Sequence, residues 1–286
     1  MHPSFFMLEK ELLEHKIITR LPLYLLLIGF LMLAAIVINM GSANDISMQF
    51  NYQGDMANNG LDLTPGISSL ISFAAGIVSL FLSIVYLSST FRKERQEGSL
   101  MFWRSMPVSD LLTHGVKLGV ALILIPLICS LLLLCSELFI WLISLTQAQH
   151  FMGLLTELSL FSITSDWLLF LAKMMLVSLS ILPLACLLLA VSQRLNSPLL
   201  MVIIGAYTLK LLSRYVFALD GVATFIHRFS TLPFTLLSSP QPLVAFAQVS
   251  WSYYLLYYLL GALCLMVSLS IRKHGELNIR AMFARS

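Results

Sequence analysis

Residues 91–117, FRKERQEGSLMFWRSMPVSDLLTHGVK, form the longest charged segment of the chain, and an apolar run long enough to cross a bilayer lies on each side. The segment combines five basic with three acidic residues: Arg92, Lys93, Arg95, Arg104 and Lys117 with Glu94, Glu97 and Asp110. Among these charges lie Leu100, Met101, Phe102 and Trp103. Large apolar side chains in a water-facing loop are typical of a surface that another protein covers. The segment is therefore predicted to dock a soluble partner.

The composition indicates an integral membrane protein. Of the 286 residues, 58% are hydrophobic and 11% are charged, whereas soluble domains carry roughly 25% charged residues. The formal net charge of +3 is too small to indicate nucleic-acid binding. The chain is therefore expected to have membrane lipid, and not nucleic acid, around it.

Six apolar segments have about the 20 residues that a hydrocarbon core of ~30 Å requires. They cover residues 21–39, 67–90, 118–145, 167–191, 199–219 and 251–271. The fifth is the weakest, because Lys210 and Arg214 interrupt it. No alternating pattern of the barrel type is present, so helices are the expected spanning elements. The predicted fold class is an all-α membrane protein with six transmembrane helices in a single transmembrane domain over residues 1–286.

The distribution of lysine and arginine predicts the orientation. Thirteen of these residues lie in the arm, loops and tail on one side of the predicted spans, and only Arg228 lies in the three loops on the other side. The thirteen are Lys10, Lys16, Arg20, Arg92, Lys93, Arg95, Arg104, Lys117, Arg194, Arg272, Lys273, Arg280 and Arg285. By the positive-inside rule, both termini are expected on the cytoplasmic side of a bacterial inner membrane.

Residues 1–20 are predicted to form an amphipathic helix on the inner membrane surface. Phe5, Leu8, Leu12 and Ile17 roughly share one helical face. A mixed-charge stretch is formed by Glu9, Lys10, Glu11, Glu14 and Lys16. A mixed-charge stretch of this kind is not the basic start of a secretory signal peptide.

Residues 220–250 are predicted to form re-entrant helices on the outer side, before the sixth span. The segment is too apolar for a free loop, and Pro233, Pro240 and Pro242 break it too often for a seventh span. Irregular backbone at membrane depth requires cover by protein or a wet cavity. The alternative is a loop that packs flat on the membrane surface.

Motifs of self-contained catalysis are absent from the sequence. There is no HExxH, no GxSxG and no GxxxxGK[ST] stretch, and the four cysteines all fall within predicted spans without a metal-binding spacing. The chain is therefore expected not to be an enzyme and to bind no metal or cofactor directly. Any ATP that it uses must be hydrolysed by another chain.

Four charged residues lie inside the predicted spans, where charge is costly: Glu137, Lys173, Lys210 and Arg214. Lys210 and Arg214 are four residues apart and so share a helical face. One hypothesis is that this face lines a translocation path and contacts an anionic or amphipathic substrate. The other is that Glu137 pairs with Lys173 or Arg214 and locks the helices together.

The segment between the second and third spans resembles the signature of the ABC transporter type-2 permease family. Residues 94–100 (ERQEGSL), residues 105–109 (SMPVS) and Lys117 are similar to the family pattern E-R-x-x-G-[ST]-L, S-x-P-[VI]-S and a lysine at the entry to the third span. The motif covers about twenty-five residues, and the predicted topology resembles the family over nearly the whole chain. Independently of the family, Pro107 should end a preceding short helix and Ser109 should cap the next, with Asp110 in its first turn.

The resemblance implies a cytoplasmic coupling helix that docks into a groove of an ATP-binding cassette ATPase subunit. Phe102 and Trp103 would be its apolar anchors. The full set of implied docking residues is Arg92, Lys93, Glu94, Arg95, Glu97, Gly98, Leu100, Phe102, Trp103, Arg104, Pro107 and Ser109. It further implies an exporter made of two permease subunits, as a homodimer or heterodimer, and two ATPase subunits that bind ATP and Mg. The alternative interpretation of the segment is a basic loop on lipid headgroups.

Two other functions remain possible from the sequence. An ion-gradient-driven secondary transporter needs acidic or histidine residues deep in the spans, and only Glu137 meets this requirement. A membrane anchor that recruits a soluble complex needs no charged residue in its spans. The pair Lys210 and Arg214 therefore argues against this function.

Overall fold

The computed structural model describes residues 3–40, 64–96, 109–146, 159–215 and 220–274. Within these ranges every regular element is a helix, which confirms the predicted all-α class. The helices are α1 (Pro3–Glu14), α2 (Ile17–Met40), α3 (Thr64–Gln96), α4 (Asp110–Gly119), a π-helical turn (Val120–Leu124), α5 (Ile125–Thr146), α6 (Leu160–Ser192), α7 (Pro198–Tyr215), α8 (Asp220–Ser238), α9 (Pro242–Ala247) and α10 (Trp251–His274).

Four helical stretches of the described chain are long and apolar enough to cross a membrane: Ser68–Gln96, Asp110–Ile143, Leu160–Ser192 and Trp251–Lys273. A fifth candidate is the pair Phe6–Glu14 and Ile17–Met32, which is bent by 57°. The chain is therefore a multi-pass membrane protein with four or five candidate spans, whereas the sequence predicted six. The difference lies at α7, an 18-residue helix whose hydropathy Lys210 and Arg214 lower.

The bend after α1 divides this candidate pair into two segments. From Leu21 to its end at Met40, α2 contains no charged residue, and its 20 residues are about the length that a hydrocarbon core requires. A span formed by α2 alone does not need α1 or the turn at His15 and Lys16.

One end of the helix bundle, here called the basic end, gathers those of the predicted cytoplasmic cations that the structure describes. The ends of α1, α3 and α10, the start of α4 and the turn between α6 and α7 meet there. Lys93 Nζ donates to the Glu14 carbonyl oxygen at 2.8 Å, and Arg272 Nε donates to Asp110 Oδ1 at 3.0 Å. The fold thus places residues far apart in sequence at a common end, as the charge pattern required.

The segment α8–α9 reaches into the bundle. Leu237 packs against α3 at Gly76 so closely that a Cβ there would lie 2.5 Å from Leu237 Cδ2. Gly76 lies eight residues inside the span that starts at Ser68, which is about 12 Å of helix rise. The described backbone of α8 is helical, and α3 covers its end. Both features meet the requirement that backbone polar groups at this depth are hydrogen-bonded or covered by protein.

A π-helical turn interrupts the span formed by α4 and α5. In such a turn the hydrogen-bond ladder widens, and carbonyl groups need other donors. Ser83 Oγ from α3 donates to the Ala121 carbonyl, and Ser178 Oγ from α6 donates to the Leu122 carbonyl, both at 2.7 Å. Serines on both neighbouring helices therefore hold this irregular turn inside the core.

Replacing Gly261 by alanine is expected to destabilise the packing of α10 on α6. A Cβ at this position would lie 2.7 Å from both Cα and Cβ of Pro183, so a helix backbone must move. Overpacking of this kind costs about 1–3 kcal/mol. The midpoint of thermal unfolding in detergent measures the effect. Gly205→Ala is the matched control, because its Cβ meets nothing within 4 Å; equal midpoints for both variants would contradict the assigned close contact.

Candidate functional site

A buried charge cluster lies at the basic end, centred on Lys117 of α4. The side chain of Lys117 is 1% exposed, and its Nζ lies 2.6 Å from Glu11 Oε1 and 3.0 Å from Glu94 Oε1. It also donates to Thr90 Oγ1 at 2.6 Å. One ammonium group therefore joins α1, the end of α3 and the start of α4.

Glu11 is held by further donors from α3. Tyr86 Oη donates to Glu11 Oε2 at 2.7 Å, and Thr90 Oγ1 lies 3.3 Å from the same oxygen. Tyr86, Thr90 and Glu94 recur every fourth residue, so they form a polar stripe on one face of α3. This periodic stripe in an apolar span is the sequence signal that could have located the cluster, and our sequence analysis did not use it.

Arg272 of α10 extends the cluster toward the start of α4. Its Nη1 lies 3.6 Å from Glu94 Oε2, and its Nε donates to Asp110 Oδ1. Phe91 lies between the cations, with Lys117 Nζ at 4.9 Å and Arg272 Cζ at 5.2 Å from its ring centroid. Contact with the ring faces stabilises both cations where water is excluded.

A neutral hydrogen-bonded chain lies next to the charged groups. His114 Nδ1 lies 2.8 Å from the Asp110 carbonyl oxygen, which can only accept, so this nitrogen carries the proton. His114 Nε2 then accepts from Ser268 Oγ at 2.8 Å, and Ser268 Oγ accepts from Gln193 Nε2 at 2.7 Å. The chain connects α4, α10 and the end of α6.

The buried centre of the cluster is electrically balanced. Lys117 and Arg272 are the buried cations, and Glu11 and Glu94 are the buried carboxylates, each at most 8% exposed. Buried charges persist only when they are paired and hydrogen-bonded. Since the four groups come from four helices, removal of any one leaves an uncompensated charge that affects all four.

The pKa values of Glu11 and His15, near the end of α1, are both lowered, but for different reasons. Burial alone would raise the pKa of Glu11, but Lys117 and the hydrogen bonds from Lys117 and Tyr86 outweigh it, and the pKa of Glu11 is lowered. Burial lowers the pKa of His15 to about 4, against the attraction of Glu11. His15 is therefore neutral near pH 7 and packs edge-on against Tyr86, with ring centroids 5.0 Å apart.

The docking of α1 is expected to weaken in acid because of His15. Its ordinary pKa of 6.5 falls to about 4 when α1 is docked. Between these values a detached α1 binds a proton that the docked helix does not, so docking loses stability as the pH falls through this window. Limited proteolysis after Lys10 or Lys16 as a function of pH measures the docking. His15→Gln should remove most of the pH dependence, and an unchanged profile in this variant would contradict the assignment.

The first part of the predicted docking segment binds the α6–α7 turn. Arg95 Nη1 donates to the carbonyls of Gln193 and Arg194 at 3.0 and 2.6 Å, and its Nη2 donates to Asn196 Oδ1 at 2.6 Å. Arg92 Nη1 donates to the Asn196 carbonyl at 2.8 Å. These two predicted docking side chains therefore contact the protein itself.

The other predicted docking residues divide into three groups. Glu94 is buried in the charge cluster, and Lys93 binds the end of α1. Ser109 caps α4, with its Oγ accepting from the Leu112 amide, and Asp110 lies in the first turn, which confirms the predicted cap. The residues Glu97, Gly98, Leu100, Phe102, Trp103, Arg104 and Pro107 lie outside the described residues.

The structure does not bring the four predicted intramembrane charges together. Glu137 is 4% exposed, and its Oε1 accepts from Ser68 Oγ at 3.1 Å. Of the ion pairs between described residues, none joins Glu137 to Lys173 or Arg214. Lys210 is partly exposed and Arg214 is exposed on α7. Their contact with a substrate stays a prediction.

Comparisons of the chain with known proteins give no match. No protein-family model matches the chain, and neither a curated protein nor a solved structure matches it.

Proposed function

We propose that this chain is the permease subunit of an ATP-binding cassette exporter. The support comes from the signature-like residues 94–109 with Lys117, and from the contacts of those among them that the structure describes. In this proposal α2 and α7 cross the membrane in addition to the four helices that meet the length and hydropathy requirement, which gives six spans. The basic end faces the cytoplasm of a bacterial cell, with both termini on that side.

The observation that carries the proposal is the attachment of both ends of the coupling segment to the same cluster. On the α3 side, Glu94 pairs with Lys117 and Arg272. On the α4 side, Asp110 pairs with Arg272. A force applied at either of these two described ends therefore reaches α1, α3, α4 and α10 through the cluster. This is the mechanical property that a coupling element needs.

The energy for transport would come from a partner protein. The partner is an ATPase subunit that binds ATP and Mg, and two permease chains, identical or different, would complete the pump. Closure of the ATPase pair on ATP would move the coupling segments, and the buried cluster would pass this movement to the spans. The path of the substrate would lie between the bundles or open laterally to the lipid.

Replacement of the predicted apolar anchors is expected to abolish binding of the ATPase partner. Phe102→Ala and Trp103→Ala each remove an aromatic anchor, and loss of a hot-spot residue costs about 2 kcal/mol or more, roughly a thirtyfold loss of affinity. Co-purification of a soluble nucleotide-binding subunit with the tagged chain measures the binding.

The matched control is Phe161→Ala. Phe161 is 81% exposed at the start of α6, away from the basic end, so this variant should retain the partner. If the wild-type chain purifies without any nucleotide-binding subunit and still transports, the proposal fails. If it binds that subunit without any transport, the chain is a membrane anchor.

A secondary transporter is the second candidate, and Glu137 favours it. This carboxyl group is buried near the end of its span that lies opposite the basic end, and Ser68 supplies one hydrogen bond to it while its Oε2 has none. A buried carboxyl that lacks a cationic partner is a common site of proton coupling. Uptake or efflux driven by a pH gradient in vesicles without ATP, and lost in Glu137→Gln, would establish this function.

A further inference from the structure

A large apolar cavity lies between α7 and the rest of the bundle. Its volume is about 790 Å³, within the range of small-molecule sites. Residues of α3, α6, α8 and α10 form its inner wall, and Met201, Val202, Gly205, Ala206 and Leu209 of α7 form the outer wall. The α7 residues recur at intervals of three and four, so a single face of this helix is turned to the cavity.

The cavity offers few hydrogen-bonding groups to a ligand. Among the described residues that line it none is charged, and the hydroxyl groups are those of Ser180, Ser230 and Tyr257. Ser180 Oγ donates to the Val177 carbonyl and Ser230 Oγ to the His227 carbonyl. That leaves at most the Tyr257 hydroxyl for a ligand. Water and polar ligands need two or more polar partners, so neither suits this space.

The dimensions and the position of the cavity fit one hydrocarbon chain. Along α6 the lining extends over residues 180–191, roughly 16 Å of helix rise. One leaflet of a hydrocarbon core of ~30 Å is about as deep. Met201 and Leu209 at the outer wall are each about half exposed, at 51% and 53%, so the cavity opens sideways to the lipid.

We propose that this cavity is a binding site for an acyl chain of a bilayer phospholipid. The chain enters sideways past α7 and packs against α6, α8 and α10. Lys210 and Arg214 are absent from the lining, so the ligand is recognised through its hydrocarbon and not through an anionic group at these two residues. This site is independent of the ATP-driven function, because the chain alone forms it.

Filling the cavity from α7 tests the proposal. Gly205→Phe projects a ring into the cavity, and its Cβ meets no heavy atom within 4 Å, so the bundle need not move. Ile204→Phe is the matched control, because Ile204 is the preceding residue, is 49% exposed and does not line the cavity. Both variants add a phenyl ring to the same helix, on different faces.

The measurement is native mass spectrometry of the chain purified in detergent from vesicles of phosphatidylcholine. Wild type and Ile204→Phe are expected to retain one phospholipid, and Gly205→Phe should retain at least about tenfold less, since displacement of about two buried methylenes is sufficient for that factor. A phosphatidylcholine with a diazirine in mid-chain should label the lining of α7 and α6 in wild type and not in Gly205→Phe.

Two results would overturn the proposal: no retained phospholipid in wild type, or equal retention and labelling in Gly205→Phe and wild type. Thermal unfolding of both variants shows whether they are folded. A chain without any ATPase partner can still pass this test, so failure of the lipid site and failure of the proposed function are separate outcomes. Displacement of the phospholipid by excess oleic acid would support the hydrocarbon site and show that a single chain suffices.

Discussion

Replacement of Lys117 by methionine is expected to destabilise the protein by about 3–5 kcal/mol. The methionine side chain fits the volume of the lysine stem, but the ammonium group that faces Glu11 at 2.6 Å and Glu94 at 3.0 Å is lost. Glu11 then has no buried cation beside it, whereas Glu94 keeps Arg272 at 3.6 Å and Lys10 at 3.5 Å. Thermal or urea unfolding in detergent, followed by helical circular dichroism, measures the loss.

The control for this prediction also removes one buried negative charge. In the double variant Lys117→Met, Glu11→Gln, a neutral amide replaces the carboxylate that has lost its cation, so part of the stability should return. Arg272 remains as the partner of Glu94. If the double variant is less stable than Lys117→Met by the full cost of a separate Glu11→Gln change, the two residues are not coupled, and the charge cluster as described is wrong.

Replacement of Arg95 by alanine is expected to abolish most ATP-driven transport while the protein stays folded. Arg95 donates three hydrogen bonds to the α6–α7 turn, and hydrogen bonds from charged groups contribute about 1.5–3 kcal/mol when buried and less when exposed to water. Without them the end of α3 no longer moves together with α6 and α7. Transport and partner ATPase activity in vesicles measure the loss, with more than about a tenfold reduction in transport expected for 1.5 kcal/mol of lost coupling.

Arg20→Ala is the matched control for Arg95→Ala. It removes the same side chain and the same charge from the basic end, and Arg20 is exposed. Transport by Arg20→Ala should remain near the wild-type value. Equal losses in both variants would show that the net charge of this surface matters and that the attachment of α3 to the α6–α7 turn does not.

The sequence predicted the parts of the fold that depend on local patterns. Apolar runs of about 20 residues predicted the long helices, and the four that meet the length and hydropathy requirement overlap the predicted spans. The N-cap at Ser109 was predictable because the Pro-Val-Ser-Asp stretch offers a side-chain acceptor just where a helix can start. Whether α7 meets the hydropathy requirement for a span depended on a small difference, because the low hydropathy of Lys210 and Arg214 offsets much of the high hydropathy of its apolar residues.

The charge cluster was not predictable in the same way, because its partners come from distant parts of the chain. In the sequence, Glu11 belongs to a mixed-charge amphipathic stretch, and Glu94 belongs to a segment that is predicted to be an exposed loop. Only the packing of α1 against α4 shows that these carboxylates face Lys117 inside the protein. A local pattern determines that a helix is amphipathic, but not whether its polar side faces water or a buried cation.

The link between Glu11 and Lys117 has a consequence for biosynthesis. The two residues are 106 positions apart, and Arg272 belongs to the last span. When α1 emerges from the ribosome, Glu11 lacks its buried cationic partner, which arrives only with α4. Glu94 receives its arginine still later, after nearly the whole polypeptide has been translated. The basic end of this protein therefore matures last, and premature termination before residue 272 would leave its charge cluster incomplete even though every earlier helix had been made.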